Sequence, residues 1–287
     1  MSDNVVPLEI PSTQLNDGQS MPQVGLGVYK MDDDQAQVAV LAAIRAGYRH
    51  IDTAVLYHNE TGVGRGVRDA IAEGLVTRED LFITTKVWND MQSADNTRKS
   101  LQESLDRMQL EYVDLALVHW PAPQLGTYIE CWQTLLEAKD RGLIRSAGVS
   151  NFFPEALDEL EEATGQRPVC NQIEMHPCWS QAEQREDNAR RGIVSVGWSP
   201  LGRGRQFEMS PIPELAEKYG KTPAQIVLRW HIELGNVVIP KTTNPSRMVE
   251  NASIFDFALT PDETAAITAL DSADGLQGGD PRTFTGV

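Results

Sequence analysis

The sequence predicts an α/β fold in which eight parallel strands and their connecting helices close into a single (β/α)₈ TIM barrel. Two observations favour this fold. Runs of β-branched and apolar residues recur roughly every thirty residues, the length of a βα unit, and an amphipathic helical pattern follows nearly every run. No linker rich in Pro, Gly or Ser separates any two units. An open doubly wound sheet is the alternative.

The apolar runs give the predicted strands, which in chain order are Val24–Gly27, His50–Ala54, Leu81–Val87, Val113–His119, Arg145–Val149, Val169–Glu174, Ile193–Trp198 and Val237–Pro240. A helix is predicted over Asp33–Ala46, with Val38, Leu41 and Ala42 on its apolar face and Gly47 as its stop. The same helical spacing recurs after the third run and before the eighth, at Leu101, Leu105, Met108, Val227, Trp230 and Leu234.

The whole chain, 1–287, is predicted to be one domain with an N-terminal β-hairpin cap within residues 8–22. Ser12–Leu15 and Gln19–Met21 flank Asn16-Asp17-Gly18, a strong hairpin signal, and the hairpin would plug the N-terminal end of the barrel. Residues 272–287 contain five Gly or Pro residues and few apolar ones, so we expect an irregular C-terminal tail.

Composition limits the partners that the protein can have. The net charge of −16 argues against nucleic acid and against an anionic membrane surface. No apolar run approaches the roughly 20 residues that span a bilayer, and residues 1–7 do not resemble a leader, so we expect a cytoplasmic protein. The cysteines, Cys131, Cys170 and Cys178, lack the spacing of a zinc or redox motif and are interpreted as ordinary thiols.

Four polar residues lie at or just beyond predicted strand ends, where a parallel barrel carries its chemistry; they are Asp52, Tyr57, Lys86 and His119. Taken singly, a strand-end Asp is typical of a cap, a loop Tyr of packing and a lone His of a satisfied structural group. Lys86 is different, because an amine at the end of an apolar strand needs a counter-charge. Asp52, on the neighbouring strand, can provide it.

Together these four side chains are suited to carbonyl reduction. Negative charge develops on the carbonyl oxygen as hydride attacks, and it needs a proton donor and oriented hydrogen bonds. Tyr57 would be the general acid, with its pKa of about 10 lowered by the Lys86 ammonium. Asp52 would hold Lys86. His119 would be neutral, donate a second hydrogen bond and orient the carbonyl.

The segments around these residues resemble the signatures of the aldo-keto reductase family, in the family's order. They are His50-Ile51-Asp52-Thr53-Ala54 with Tyr57, Thr84-Thr85-Lys86-Val87-Trp88, Leu117-Val118-His119-Trp120-Pro121, Gly148-Val149-Ser150-Asn151-Phe152, Asn171-Gln172-Ile173-Glu174, Trp198-Ser199-Pro200-Leu201-Gly202 and Ile239-Pro240-Lys241. The resemblance runs from about residue 10 to residue 270. Within the family the chain is most similar to the bacterial 2,5-diketogluconate reductase type.

The resemblance implies a barrel that holds NADPH extended across its mouth. It places Ser150, Asn151 and Gln172 on the nicotinamide carboxamide and Trp198 against the ring. The remaining cofactor residues that it implies are Ser199, Leu201, Lys241, Thr242, Thr243, Asn244, Arg247 and Asn251. Of these, the stretch from Lys241 to Arg247 has the two cations and the hydroxyl groups that suit the adenosine phosphate.

The substrate is expected to be a small carbonyl compound, with keto-sugars, short dicarbonyls and aromatic aldehydes all open. Its contacts are expected from Tyr29, Trp88, His119, Trp120 and the residues after Ser272. The tail is shorter than the aromatic-rich tails of animal relatives, which predicts an open and broad pocket. A monomer is the usual form of the family.

Three other functions fit the sequence less well. A Rossmann dehydrogenase needs Gly-x-Gly-x-x-Gly directly after the first strand, whereas Gly62-Val63-Gly64-Arg65-Gly66-Val67 follows no strand and lacks the last glycine. A metal-dependent hydrolase is disfavoured because the five histidines form no close ligand pair, and no metal site is predicted. A cofactor-binding regulatory barrel with little turnover is the remaining alternative, and the complete set of four polar residues argues against it.

Overall fold

The structure is a computed structural model that describes residues 8–286, and these contain ten β-strands. The strands are β1 (Ser12–Gln14), β2 (Ser20–Pro22), β3 (Gly25–Gly27), β4 (His50–Asp52), β5 (Phe82–Val87), β6 (Val113–Val118), β7 (Ile144–Ser150), β8 (Cys170–Glu174), β9 (Val194–Trp198) and β10 (Val237–Val238). Each of the eight predicted barrel strands is present, with its ends shifted by one or two residues. β1 and β2 pair antiparallel as the predicted hairpin.

Strands β3 to β10 form one eight-stranded sheet in which sequential strands pair in parallel. The sheet closes on itself where β3 meets β10. Parallel bridges join Val24 to Val238 and Gly27 to Lys241, and the Gly27 N–H donates to the Pro240 carbonyl at 3.2 Å. The predicted barrel is therefore confirmed, and its closing seam is short.

Ten helices surround the sheet within the described part of the chain. They are α1 (Asp33–Ala46), α2 (Glu60–Ala72), α3 (Ala94–Met108), α4 (Tyr128–Asp140), α5 (Pro154–Thr164), α6 (Ala182–Arg190), α7 (Ile212–Tyr219), α8 (Pro223–Glu233), α9 (Pro245–Ala252) and α10 (Pro261–Thr268). The prediction for α1 is correct at both ends. Asp32 caps its first turn by accepting from the Gln35 N–H, and Gly47 ends it with a left-handed φ of 109°.

The apolar face predicted for α1 was wrong at Val38, whereas Leu41 and Ala42 are partly buried against the core. Val38 is 68% exposed, and the buried face is formed by small and β-branched residues, which are Ala36, Ala39, Val40, Ala43 and Ile44. The glycines of α2 explain the choice of face. A Cβ on Gly62 would lie 2.0 Å from the Asp33 carbonyl oxygen, and one on Gly66 would lie 2.8 Å from the Val40 Cβ. The glycine run that fails as a nucleotide motif therefore lets two helices pack closely.

Two cores flank the sheet because side chains on a strand alternate between its faces. Phe82 and Leu115 pack inside the barrel, whereas Ile83 and Val87 pack outward among the helices. The alternation that turns Phe82 inward also turns Thr84 and Lys86 inward, and of the three Lys86 lies nearest the C-terminal end of the strand. An amine is thus placed at the mouth of the barrel.

The hairpin closes the opposite end. Its Leu15 and Met21 are buried in the interior core beside Phe82 and Leu115. At the turn, the Asp17 carboxyl accepts from Lys139 and from Ser146, each at 2.9 Å. The hairpin therefore seals the N-terminal end of the barrel and leaves the C-terminal end available.

Residues 272–286 contain no helix or strand and pass back across the C-terminal end of the barrel. Among residues 8–286 no helix is long and apolar enough to cross a membrane, and no group of three or more His, Cys, Asp or Glu side chains could hold a metal ion. All three cysteines are free, and Cys131 and Cys170 are buried. The expectation about a leader falls on residues 1–7, outside the described residues.

Candidate active site

A buried ion pair lies at the C-terminal end of the barrel. Lys86 of β5 is fully buried, and its Nζ donates to Asp52 Oδ1 at 2.6 Å and to the Thr53 carbonyl at 2.9 Å. Burial acts against the ammonium, but Asp52 and Tyr57 outweigh it, so the pKa of Lys86 is raised above its ordinary value. The lysine is therefore charged at neutral pH, as its predicted pairing with Asp52 requires.

Tyr57 ends a short 3-10 turn, Val55–Tyr57, that directly follows β4. Lys86 Nζ lies 3.4 Å from the Tyr57 hydroxyl, which makes the phenol the third oxygen partner of the ammonium. Burial raises the pKa of Tyr57 more than Lys86 lowers it, so the net direction is upward rather than the expected decrease. The phenol keeps its proton at neutral pH and can act as an acid.

His119 follows the last residue of β6, and its ring stands 6.0 Å from the Tyr57 ring and 4.9 Å from the Trp88 ring. Burial, and secondarily the Lys86 charge, holds the pKa of His119 well below its ordinary value. The imidazole is therefore neutral at physiological pH. Its Nδ1 is buried and has no hydrogen-bond partner among the described residues.

The ends of β7, β8 and β9 bring a second polar group to the same face. Gln172 Nε2 donates to Asp52 Oδ2 at 2.7 Å, so the carboxylate is held on both oxygens. Asn151 has a left-handed φ of 63°; its Nδ2 donates to the Ser150 hydroxyl at 3.0 Å, and its Oδ1 accepts from Trp198 Nε1 at 2.9 Å. Residues predicted to meet the nicotinamide thus form one connected cluster beside the ion pair.

A cavity of about 280 Å³ lies over these groups. Its lining includes most of the predicted nicotinamide and substrate residues, namely Tyr29, Asp52, Tyr57, Trp88, His119, Trp120, Ser150, Asn151, Gln172, Trp198, Ser199 and Lys241. Lys86 lies beneath this surface and reaches it only through Tyr57 and Asp52. A larger cavity, about 820 Å³, shares only Asn151 and Trp198 with it and contains none of the four candidate side chains.

The tail narrows this cavity, contrary to the expected open pocket. Phe284 packs on Trp120, with ring centroids 4.3 Å apart, and stands 6.4 Å from Trp88. The Asn89 side chain donates to the Thr285 carbonyl at 2.6 Å, which fixes the tail beside Phe284. The pocket is not open, because the tail residues around Phe284 cross its mouth.

A second cavity, about 550 Å³, adjoins the first and shares Ser199, Pro200, Arg203 and Lys241 with it. The predicted cofactor residues Leu201, Thr242, Arg247 and Asn251 also line it, and Thr242 and Arg247 belong to the predicted phosphate site. Thr243 and Asn244 do not; Asn244 instead caps α9 by accepting from the Ser246 N–H at 2.9 Å.

The charges of this second cavity fit a dinucleotide phosphate. Neither Lys241 nor Arg247 forms an ion pair with any residue in the described range 8–286, although the chain has a net charge of −16. Exposed Arg203, which the sequence analysis missed, lines both cavities. Cations and hydroxyl groups along an elongated opening are the donor set that NADPH phosphates need.

Glu174 is a further polar residue that the sequence analysis left without a role. It closes β8 as Asp52 closes β4, so the strand-end criterion applied to Asp52 would also have selected it. It is buried and contacts His176, with 3.1 Å between Oε1 and Nε2. Its other partners lie in the tail.

Comparison with known proteins places this arrangement in context. The chain matches the model of the Aldo/keto reductase family over residues 21–272. It is 47% identical over 274 residues to an aldo-keto reductase of Mycolicibacterium smegmatis, covering 96% of this chain and 98% of that protein. It is 46% identical over 275 residues to methylglyoxal reductase DkgA of Escherichia coli, covering 95% and 98%.

Solved structures show the same likeness. A mutant of Gox0644 in complex with NADPH superposes with a TM-score of 0.91 at 42% identity, covering 96% of this chain and 99% of that one. An aldo-keto reductase of Bombyx mori in complex with NADP gives a TM-score of 0.87 at 41% identity, with 92% and 94% covered. These chains share both the fold and a substantial part of the sequence with this protein.

Proposed function

The chain belongs to the aldo/keto reductase family, and we propose from that membership that it reduces aldehydes or ketones to alcohols with NADPH as its cofactor. Bound NADPH supplies the hydride. The observation that carries the proposal is the contact of Lys86 Nζ with both the Asp52 carboxylate and the Tyr57 hydroxyl at the cavity floor. A regulatory barrel without turnover is not favoured, since none of these groups is missing.

Tyr57 is the proton donor in this proposal. Its hydroxyl lines the cavity and keeps its proton at neutral pH, so it can protonate the carbonyl oxygen as negative charge develops there. The phenolate that remains lies 3.4 Å from the Lys86 ammonium, which stabilises it. Asp52 fixes the ammonium, and Gln172 fixes Asp52, so both are positioning residues rather than proton donors.

His119 orients the carbonyl. A neutral imidazole can donate one hydrogen bond without competing with Tyr57 as an acid, and the lowered pKa of His119 keeps it neutral. Trp88, edge-on to the imidazole at 4.9 Å between centroids, restricts its rotation. Two donors from different strands thus meet the same carbonyl oxygen, one with a transferable proton and one without.

The cofactor side of the proposal assigns the carboxamide of the nicotinamide to Ser150, Asn151 and Gln172 and its ring face to Trp198. Lys241 and Arg247 are assigned to the adenosine 2′-phosphate, which a strongly acidic protein would otherwise repel. The support is that both cations line the second cavity or its junction with the first and lack protein partners there.

The substrate is a small carbonyl compound. A cavity of about 280 Å³ lies at the lower end of the range of roughly 300–1,000 Å³ for ligand pockets, and the nicotinamide occupies part of it. Trp88, Trp120 and Phe284 make its wall apolar. Short dicarbonyls fit this volume best, and relatives such as the Escherichia coli protein are methylglyoxal reductases. A panel of carbonyl compounds ranked by kcat/KM tests the assignment.

The protein is further proposed to act as a monomer in the cytoplasm. Every group assigned to the reaction comes from one chain, so no second copy is needed to complete the site. Light scattering coupled to size-exclusion chromatography should give a mass near the chain mass of 31.8 kDa. A stable dimer would show that the assignment of a monomer is wrong.

The decisive experiment follows the absorbance of NADPH on addition of methylglyoxal, in wild type and in Tyr57→Phe. The variant should lose roughly 10²–10⁴ in kcat, because it lacks the proton donor, while its Kd for NADPH stays within about twofold. Retention of more than about a third of the wild-type kcat, with chemistry limiting turnover, would exclude Tyr57 as the acid.

Cofactor choice is tested separately with Arg247→Ala. Loss of one charge-assisted contact should weaken NADPH binding by roughly one to two orders of magnitude and leave NADH nearly unchanged. Fluorescence titration of both cofactors measures this. Equal losses for the two cofactors, or a wild type that prefers NADH, would show that Arg247 does not recognise the 2′-phosphate.

A further inference from the structure

The buried Glu174 carboxyl accepts the two consecutive backbone N–H groups at the start of the tail crossing. Gln277 N donates to Oε1 at 2.8 Å, and Gly278 N donates to Oε2 at 2.7 Å. Each oxygen thus has its own amide, and Oε1 also contacts His176. No strand or helix offers these two amides a partner, so this side chain takes the place of regular secondary structure.

One of the two anchored residues touches the cavity of about 280 Å³ directly. Gly278 lines it, and a Cβ at that position would lie 2.6 Å from Trp198 Cη2 and 2.8 Å from Glu174 Oε2. Glycine is therefore required for the tail to fit between the carboxyl and the indole. Six residues further on, Phe284 forms the cavity wall against Trp120.

A second anchor of the same tail is of a different kind. Arg282 Nη1 pairs with Glu155 at 3.0 Å, but the two side chains are 53% and 65% exposed. Exposed ion pairs contribute little to stability because water competes for both charges. The buried anchor at Glu174 therefore constrains the start of the tail more strongly than this exposed pair does, and the Asn89 side chain holds Thr285 next to Phe284.

We propose that Glu174 is a positioning residue that holds residues 277–286 as a wall of the substrate cavity and so sets the size of carbonyl that fits. Gln in its place keeps the volume but presents an NH₂ group to one of the two backbone N–H donors, so one anchor bond is lost. The wall then moves away, small carbonyls lose contacts, and bulky ones gain space. This inference rests on the proposed reduction of carbonyls.

The experiment compares Glu174→Gln with Glu155→Gln, the matched control at the exposed anchor. In Glu174→Gln the KM for methylglyoxal should rise about tenfold, the kcat/KM ratio of a bulky aromatic aldehyde to methylglyoxal should increase, and the Kd for NADPH should stay within about twofold. Glu155→Gln should resemble wild type. Amide hydrogen exchange over residues 277–286 should accelerate only in Glu174→Gln.

Two further variants separate positioning from general stability. Gly278→Ala retains the glutamate but displaces the tail, because the added Cβ would lie against Glu174 Oε2 and Trp198, and it should reproduce the change in substrate preference even if Glu174→Gln folds poorly. In a Phe284→Ala background, Glu174→Gln should have little additional effect on KM, because the wall is already absent.

The proposal is overturned if Glu174→Gln and Gly278→Ala both keep the wild-type ratio of kcat/KM values, or if the tail amides remain protected in the folded Glu174→Gln protein. Absence of carbonyl-dependent NADPH oxidation in wild type would instead refute the proposed function. Hydrogen exchange would still decide whether Glu174 anchors the tail.

Discussion

The two ends of the barrel each contain a buried ion pair. At the mouth, Lys86 and Asp52 are 2.6 Å apart and 0% and 2% exposed. At the hairpin end, Arg78 and Asp114 are 2.7 Å apart and 15% and 5% exposed. Both pairs join neighbouring strands or the turns beside them, yet their remaining partners differ.

Asp114 has only structural partners. Its Oδ2 also accepts from the Ile83 N–H at 2.9 Å, and the Arg78 and Arg145 guanidinium groups lie on either side of the Tyr112 ring, at 4.1 and 4.2 Å from its centre. Lys86, in contrast, also contacts the Tyr57 hydroxyl, which borders the cavity of about 280 Å³ and can exchange a proton there. A buried charge thus becomes chemically useful when one of its contacts can exchange a proton with a ligand.

The largest effect, a loss of kcat, is predicted for the ion pair at the mouth of the barrel. Lys86→Met should reduce kcat by roughly 10²–10⁴, because the Tyr57 phenolate loses its nearest cation. The same loss raises the pKa of Tyr57 further, so the pH profile of alcohol oxidation, which needs Tyr57 as a base, should move to higher pH. Steady-state rates between pH 6 and 10 measure both effects. A wild-type rate with an unchanged profile would remove Lys86 from the proton transfer.

Loss of the ion pair at the hairpin end should instead lower the stability of the protein. Arg78→Met leaves Asp114 buried without its main counter-charge and should lower the free energy of unfolding by about 3 kcal/mol, with kcat unchanged. Urea denaturation and the methylglyoxal assay test the two halves of this statement. Arg145→Met is the control, because it removes a longer contact of 3.7 Å to the same carboxyl. It should lower the free energy of unfolding less than Arg78→Met does. A large loss of kcat in Arg78→Met would show that the ion pair at the hairpin end also supports catalysis.

A smaller effect concerns His50, which lies on β4 two residues before Asp52. Burial lowers the pKa of His50 to about 4 from 6.5, so the folded protein binds its proton more weakly than the unfolded chain does. Its contribution to stability is present above pH 6.5 and is lost as the pH falls toward 4. At pH 5 the free energy of unfolding should be about 2 kcal/mol lower than at neutral pH because of this one histidine.

Denaturation of wild type and His50→Gln at pH 7.5 and pH 5 measures this contribution. The free energy of unfolding should change less between the two pH values in His50→Gln than in wild type. In His58→Gln, which alters an exposed histidine, this change should equal that of wild type. An equal pH dependence in all three proteins would contradict the assignment. His119, at the other end of the barrel, also has a lowered pKa, and its proposed role is to orient the substrate carbonyl.

Much of the fold and the site followed from local patterns. The strand ends located Asp52, Lys86 and His119, because an apolar run that closes on a polar residue marks the mouth of a parallel barrel. The family resemblance is confirmed by the comparisons, and the names and bound cofactors of the relatives support the proposed reductase activity and the proposed use of NADPH. The individual roles of the site residues stay predictions until the variants are measured.

The errors share a physical cause, which is packing between segments distant in sequence. Val38 was placed on the wrong face because the close approach of α2 selects the phase of α1. The pocket was expected to be open because nothing in the local sequence around Gly278 and Phe284 indicates where the tail folds. The direction of the Tyr57 pKa was wrong because burial, which depends on the whole mouth, exceeds the effect of a single lysine.

The short seam between β3 and β10 bears on how long the folded state lasts. It joins Val24 to Val238, residues far apart in the chain, so we predict that these contacts form late in folding and contribute little to the folding transition state. Weakening them should speed unfolding and leave refolding almost unaffected. Lys241 pairs with Gly27 at this seam, so a dinucleotide phosphate bound there would fasten the last contact to form and lengthen the lifetime of the native barrel.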